Sequence, residues 1–202
     1  MDKLSYALGM SMGHNFKGSG INELNVQDFA NGVAAVYEGT KPEMTYEEAK
    51  MTVQIFFTKM EEEMQAKAKE AGKQNRQIGE AFLAENKNRE GVKVTATGLQ
   101  YEVIEEGNGA VPTANDQVKV HYTGKLIDGT VFDSSVERGE PAVFGVTQVI
   151  AGWVEALQMM KEGAKWRLYI PSDLAYGPNG AGGIIGPDTT LIFDVELLQI
   201  VK

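Results

Sequence analysis

The residue grammar of this chain changes near Gly91, and no other feature constrains its fold more. Five of the six prolines and 14 of the 23 glycines lie in residues 92–202, whereas seven of the nine methionines lie before residue 65. Proline and glycine punctuate strands and turns, so one architecture cannot run from end to end. The first part reads as helices and the second as strands and turns. That segregation predicts an α+β chain, and 202 residues leave room for one large domain or two small ones.

Three helices are expected before Gly91. The first spans about Leu4 to Phe16, with Leu4, Leu8, Met12 and Phe16 at steps of four, and stops at Gly18-Ser19-Gly20. The second opens at Asn25, with Asp28 in its first turn, and closes at Gly39. The third follows Pro42 and starts at Thr45, whose partner Glu48 forms a capping box. No proline interrupts it before Gly91, and its early apolar stripe is Ala49, Val53, Phe56, Met60 and Met64. From Lys67 to Glu80 the stripe gives way to Lys67, Lys69, Glu70, Lys73, Asn75 and Arg76. A helix polar all round bridges solvent, so residues 65–88 are expected to form an exposed rod, weakened at Gly72 and Gly79. The expected organisation is a helical region over residues 1–44, a long connecting helix over 45–91 and a strand-rich domain over 92–202. Two short helices and one stripe enclose little core, and small domains of this kind often need a partner. Met10, Met12, Met51, Met60 and Met64 read either as local core or as a dimer interface filled by adaptable thioethers. The thin core favours the dimer.

After Gly91 the apolar period becomes two. Val118, Val120 and Tyr122 interleave with Lys119, His121 and Thr123. Asp128-Gly129 between two apolar pairs is a hairpin signal, read as a type I′ turn. Trp166, Leu168 and Ile170 form one face of a later strand, with Lys165, Arg167 and Tyr169 on the other. The last strand alternates through Leu191, Phe193, Val195 and Leu197. One short helix fits between Gly152 and Met160, so an antiparallel sheet wrapped on a single helix is expected.

Composition excludes several chemistries. There is no cysteine, which removes disulfides, thiolate metal sites, a cysteine nucleophile and a lipidated cysteine. His14 and His121 are the only histidines, so a histidine-rich metal site is excluded, and no metal or cofactor is expected. A net charge of −9 without a basic cluster disfavours nucleic acid and anionic membrane as partners. No window approaches 18 uninterrupted apolar residues, so no membrane span is expected. The start, Met1 to Tyr6, shows no basic region followed by a long apolar one. On that ground a cytoplasmic home is expected, or a periplasmic one if a leader was removed. There is also no nucleophile elbow and no phosphate-cradling loop. Gly180-Ala181-Gly182-Gly183 reads as a flexible rim loop.

What remains is aromatic. Tyr122, Phe132, Phe144, Trp153, Tyr176 and Phe193 come from different strands, a helix start and the loops. Such residues are usually plain core. Two features point instead to a ligand pocket: Tyr176 sits in the turn-rich Ala175-Tyr176-Gly177-Pro178, and Asp133 follows Phe132 at a strand end, beside an apolar surface.

Five segments now carry a resemblance: His121-Tyr122-Thr123-Gly124, Gly129-Thr130-Val131-Phe132-Asp133-Ser134-Ser135, Val149-Ile150-Ala151-Gly152-Trp153, Ala175-Tyr176-Gly177, and Leu191 through Leu198. In order and spacing, residues 98–201 resemble the FKBP family of peptidyl-prolyl isomerases, the immunophilins that bind tacrolimus and rapamycin. The helical first part resembles the dimerisation region and stalk of the family's bacterial macrophage-infectivity-potentiator-like branch. The resemblance implies a half-barrel around the short helix, with the site between them. It implies Trp153 as the floor under the proline ring, with Tyr122, Phe132 and Phe193 as walls completed by Phe144, Val149 and Ile150. The Ile150 N–H and the Tyr176 hydroxyl would bind substrate carbonyls. Asp133 would sit by the imide near the Tyr122 hydroxyl, and Ile184 would belong to the rim. Tyr122, Asp133 and Tyr176 are thus the implied catalytic residues.

Three positions depart from the commonest family pattern: Ala142, where an aromatic is frequent, Ala181, where histidine is frequent, and Gly186, in place of the first residue of a Pro-Pro pair. They soften the rim and bear on macrolide affinity more than on isomerisation. The implied partners are proline-containing peptides, unfolded protein clients, macrolide inhibitors and a second copy of the chain. An alternative is a dimeric chaperone, or binding module for unfolded chains, whose isomerase activity is incidental. Under the isomerase reading, removing residues 1–91 leaves turnover of a short peptide undiminished, with loss only on protein clients.

Overall fold

A computed structural model describes residues 1–201, and the chain divides into two compact units, Met1–Lys59 and Met60–Lys202. In the first, α1 (Lys3–Gly18) is capped by Asp2, which accepts the Ser5 N–H at 2.7 Å. The second helix, α2 (Val26–Tyr37), is capped by Asn25, which accepts the N–H groups of Gln27 and Asp28 at 3.0 and 3.2 Å. The start of α3 (Tyr46–Asn86) carries the expected capping box: Glu48 Oε2 accepts the Thr45 N–H at 2.8 Å, and Thr45 Oγ1 accepts the Glu48 N–H at 3.2 Å. Every local start signal is therefore satisfied. None of the described residues of α1 and α2 is buried, and Leu4, Leu8, Met12, Val53 and Phe56 are exposed along their stripes.

The third helix is continuous for 41 residues, through Gly72 and Gly79, about 60 Å at ~1.5 Å per residue. Among the described residues, no helix is long and apolar enough to cross a membrane.

The second unit is built on one antiparallel sheet. Its strands are β1 (Val92–Val94), β2 (Gln100–Glu105), β3 (Gln117–Leu126), β4 (Val131–Ser134), β5 (Ala142–Gly145), β6 (Lys165–Ile170) and β7 (Leu191–Val201). They lie in the order β1-β2-β6-β7-β3-β4, and β5 also pairs with β3. The two short strands share one edge of β3: β4 takes residues 123–125 and β5 takes residues 117–120. Between them lies a single-turn helix, α4 (Ser135–Arg138). Side chains at alternate positions, Val118, Val120, Leu168, Ile170, Val195 and Leu197, form a fully buried inner face. Helix α5 (Ala151–Leu157) packs on that face through Trp153, Ala156 and Leu157. Gly152 permits the close approach, because a Cβ there would stand 2.6 Å from Ile170 Cγ2.

Two sequence expectations are corrected here. The hairpin at Asp128-Gly129 forms, but its only left-handed residue is Gly129, with φ +90°. The Gly129 N–H bonds Leu126 O at 3.0 Å and the Leu126 N–H bonds Thr130 O at 2.9 Å. This is a three-residue loop, a type I turn followed by a left-handed glycine, rather than the two-residue type I′ turn.

The second correction concerns α3 after Met60, which is not a free rod. Gly72, Gly79 and Asn86 are buried, and Tyr169, on the face of β6 opposite Leu168, is only 2% exposed because α3 covers it. The Phe82 ring lies 6.0 Å from the Tyr169 ring, Asn86 donates to Gln100 at 2.9 Å, and Gln100 donates to Leu83 O at 2.9 Å. The sequence points to a solvent-facing helix because, apart from Phe82, the contacts named here are made by amide side chains and backbone, which leave no hydrophobic stripe.

Candidate active site

The inner face of the sheet and the start of α5 bring five aromatic side chains together. Trp153 is 3% exposed and lies at the centre. Its ring is 5.4 Å from Tyr122, 5.3 Å from Phe193 and 6.0 Å from Phe144, each contact edge to face. Phe132 meets Phe193 edge to face at 5.5 Å. Edge-to-face packing sets the positive ring edges against negative faces, which holds the rings at fixed angles. Val149 and Ile150 pack against the hydrophobic core that contains Trp153, Tyr122 and Phe193. Ile150 is the N-cap of α5 and has no capping side chain.

The backbone explains how Phe132 and Asp133 both reach this place. Gly124 pairs with Asp133 and Lys125 with Val131, so Phe132 is the extra residue of a β-bulge. Bulges re-aim side chains and are common beside functional sites. Gly124 supplies the room: a Cβ there would stand 2.6 Å from the Phe132 ring and 2.7 Å from the Phe193 ring.

A charged cluster occupies one side. The Tyr122 hydroxyl donates to one carboxylate oxygen of Asp133, and Arg138 donates to the other. Arg138 also donates to the Tyr122 hydroxyl at 3.0 Å, and its guanidinium carbon lies 5.7 Å from the centre of the Tyr122 ring. Burial pushes the Asp133 carboxyl up, but hydrogen bonds from Tyr122 and Arg138 outweigh it and hold the group below the usual carboxylate range. Burial raises the Tyr122 phenol, and the Asp133 carboxylate adds to that rise. At neutral pH the cluster is therefore a carboxylate, a neutral phenol and a guanidinium.

Gly124 belongs to a segment that carries the family resemblance but has no site role in the sequence, and Arg138 lies outside every such segment. The signal for Arg138 was the pattern Ser134-x-x-Glu137, which opens α4: Ser134 accepts the Glu137 N–H at 3.2 Å, and Gly139 closes the turn with φ +76°. One helical turn after Asp133 returns Arg138 to it. Ser135, fully buried, accepts the Tyr122 N–H at 2.8 Å and so fixes the Tyr122 backbone.

The rim residues are placed differently. Tyr176 is 40% exposed and stands outside the ring cluster, on the loop between β6 and β7. Ile184 on the same loop is 54% exposed, while its neighbour Ile185 is buried against the core. This loop is not slack. Ala181 and Ile185 exchange backbone hydrogen bonds at 2.8 and 3.0 Å, and the Asp188 N–H bonds Gly177 O at 2.8 Å. Ala142 pairs with Val120 and packs on the core.

Residues 109–198 match the family described as FKBP-type peptidyl-prolyl cis-trans isomerase, and residues 1–103 match the domain amino-terminal to it. A peptidyl-prolyl cis-trans isomerase Mip of Coxiella burnetii is 47% identical over 201 residues, covering 100% of this chain and 87% of that protein. A protein of Legionella longbeachae named outer membrane protein MIP is 44% identical over 201 residues, covering 100% of this chain and 86% of that one. The crystal structure of FkpA from Escherichia coli superposes with a TM-score of 0.74 at 38% identity, covering 98% of this chain and 95% of that one. The expectation of a cytoplasmic home is overturned by these relatives, since one matching the whole chain is an outer membrane protein by name. The bulged Phe132-Asp133 pair, the aromatic ring around Trp153 and matches that together span nearly the whole sequence lead to one conclusion: the chain belongs to the FKBP-type peptidyl-prolyl cis-trans isomerases.

Proposed function

We propose that this isomerase turns Xaa-Pro bonds of unfolded clients in the Trp153 concavity, and that it does so as a homodimer. Rotation about a peptide bond faces a barrier of ~18–20 kcal/mol from amide resonance, and the uncatalysed prolyl reaction takes tens to hundreds of seconds. In the twisted transition state the nitrogen has lost conjugation and the amide is less polar. An apolar pocket favours that form over the planar one, which is differential binding of the transition state. In this reading Trp153 floors the proline ring and Tyr122, Phe132, Phe144, Phe193 and Val149 wall it. The Ile150 N–H and the Tyr176 hydroxyl take substrate carbonyls, with Ile184 on the rim. Asp133, held ionised by Tyr122 and Arg138, supplies a fixed field at the rotating carbonyl. The observation that carries the reading is the five-ring cluster around a buried Trp153 with the Asp133 carboxylate beside it.

Dimerisation draws its support from the first unit. Residues 1–59 bury no side chain of their own, while Leu4, Leu8, Met10, Met51 and Ile55 are each more than half exposed. Exposed apolar residues gathered in this way mark an interaction surface, and a second copy presents the complementary surface by symmetry. The same exposed residues favour a second reading, a chaperone in which apolar arms hold unfolded chains. Under that reading clients stay soluble when Phe193 is replaced.

Cis-to-trans exchange of a short Xaa-Pro peptide, measured by NMR with and without rapamycin, tests the first reading. Acceleration blocked by rapamycin supports both the activity and the pocket; acceleration that is not blocked assigns the drug's loss to Ala142, Ala181 and Gly186. No acceleration defeats the reading. Asp133→Leu is expected to lower kcat/KM at least tenfold, about 1.4 kcal/mol of transition-state stabilisation, and an active variant removes Asp133 from the mechanism.

A further inference from the structure

Within the unit Met60–Lys202, one face of α3 grips the loop between β6 and β7 at both ends. The face is Gly72, Asn75, Arg76 and Gly79, spaced so that all four lie along one side of the helix. Arg76 makes a fork to Asp173, with hydrogen bonds of 3.2 and 2.8 Å, and reaches Asp188 at 2.6 Å. Asp173 lies three residues before Tyr176 in a short 3-10 turn, Ser172–Leu174. Asp188 lies at the other end of the loop and is the one non-glycine with positive φ among the described residues, +53°. Asn75 donates to Pro187 O at 2.9 Å.

The fit is close at backbone level. A Cβ on Gly72 would stand 2.9 Å from Asp188 Oδ2, and one on Gly79 would stand 2.3 Å from Thr190 Oγ1. From the loop side, a Cβ on Gly186 would stand 3.1 Å from the Asn75 amide nitrogen. So Gly72 and Gly79 look like helix breakers in the sequence and act here as seats for the loop. Gly186, a departure from the Pro-Pro pattern, leaves room for Asn75.

We infer that α3 is a brace for the rim loop: Asn75 and Arg76 are positioning residues that hold Tyr176 and Ile184 where the substrate peptide arrives. The inference rests on the assignment of the rim in the proposed function. Arg76 touches no substrate; it acts by fixing the two ends of the loop between which Tyr176 lies. One of its carboxylate partners is tied in turn to the loop backbone, through the Asp188 N–H on Gly177 O. Exposed ion pairs add little to global stability, so the brace shows itself in the loop and in turnover rather than in unfolding. It also reverses an expectation from sequence: loss of residues 1–91 removes the brace, and turnover of a short peptide falls.

The test is done in the full chain with Arg76→Ala, Arg76→Lys and the double variant Asn75→Ala/Arg76→Ala. Hydrogen exchange of amides 177–188 reads the loop, and kcat and KM on a short Xaa-Pro peptide read the site. The brace predicts exchange of loop amides at least about tenfold faster in the double variant, against unchanged exchange in β3 and β7. It predicts kcat/KM lowered about three- to tenfold, with Arg76→Lys partly restoring it because one cation remains without the fork. Combining Arg76→Ala with Tyr176→Phe makes a double-mutant cycle. A smaller effect of Arg76→Ala in the Tyr176→Phe background supports action through Tyr176. If Tyr176→Phe alone is silent while Arg76→Ala still lowers kcat/KM, the brace stands and the role of Tyr176 falls. Loop exchange and kcat/KM both within twofold of the parent protein overturn the brace. Should the double variant fail to fold, Gly79→Ala, which sets a methyl against Thr190, replaces it under the same criteria.

Discussion

The two units of this chain both carry regular apolar stripes and solve opposite problems. In Met60–Lys202, Val120, Leu168 and Val195 lose all contact with water. In Met1–Lys59, Leu4 and Leu8 stay more than half exposed although they sit on regular apolar stripes. The first unit satisfies every helix start with a side-chain cap, at Asp2, Asn25 and Thr45. Local signals are therefore enough to define a helix and are not enough to bury it. Burial needs an opposing surface: the sheet gives the second unit one, and in the proposed dimer the first finds its own in a second copy of the chain.

The sharpest way to break this comparison is to cut the same volume from each side. Leu168→Ala is expected to cost about 2–5 kcal/mol, because the buried site cannot collapse fully around the lost atoms. Both tryptophans, Trp153 and Trp166, lie in the second unit, so fluorescence follows that unit alone. Leu8→Ala leaves the fluorescence transition in place and weakens only the helical signal. Equal losses of fluorescence midpoint in the two variants would erase the distinction between the units.

A second measurement needs no substitution. Thermal unfolding followed by far-UV circular dichroism is expected in two steps, the earlier one rising with protein concentration as mass action requires of a dimer. The fluorescence step stays fixed. A concentration-independent first step would mean that residues 1–59 are stable without a second copy.

The same contrast explains what could be read from the sequence. Period-two alternation located β3, β6 and β7, because the strands face a core on one side, and the aromatic positions followed from it. Two things were not legible. Tyr169 has the position of a solvent-facing residue in its strand and is buried, because the helix covering it does so partly through backbone and amide groups that carry no hydrophobic pattern. Arg138 reaches Asp133 only through a single helical turn and a bulge, and a one-residue slip there changes which side chains meet. Gly72 and Gly79 show the limit most clearly. Intrinsic propensity counts them against a helix, while the atoms they would displace belong to residues more than 100 positions away.

Acid unfolding gives the smallest effect and the finest resolution between the units. In the second unit Asp194 lies between Arg167, at 2.6 Å, and Lys125, at 3.1 Å. Burial raises its carboxyl, and the two cations outweigh burial, so the folded group titrates below its ordinary value. A depressed carboxylate contributes its full stability above the unfolded value of about 3.9 and loses it as pH falls through the lower, folded value. Asp194→Asn is therefore expected to cost about 1.5–3 kcal/mol at neutral pH, the range for hydrogen bonds to a charged group. The gap between the variant and the parent protein should narrow as pH drops below about 4. The carboxylates of the first unit, Asp2 and Glu48, are also held low, by hydrogen bonds from Ser5 and Thr45, but they stand in full contact with solvent. Water takes over most of what those bonds supply, so acid moves the helical step less than the fluorescence step. If Asp194→Asn left the fluorescence step unchanged at neutral pH, the Arg167–Asp194–Lys125 cluster would be no more than another solvated surface group, and the second unit would owe its stability to apolar burial alone.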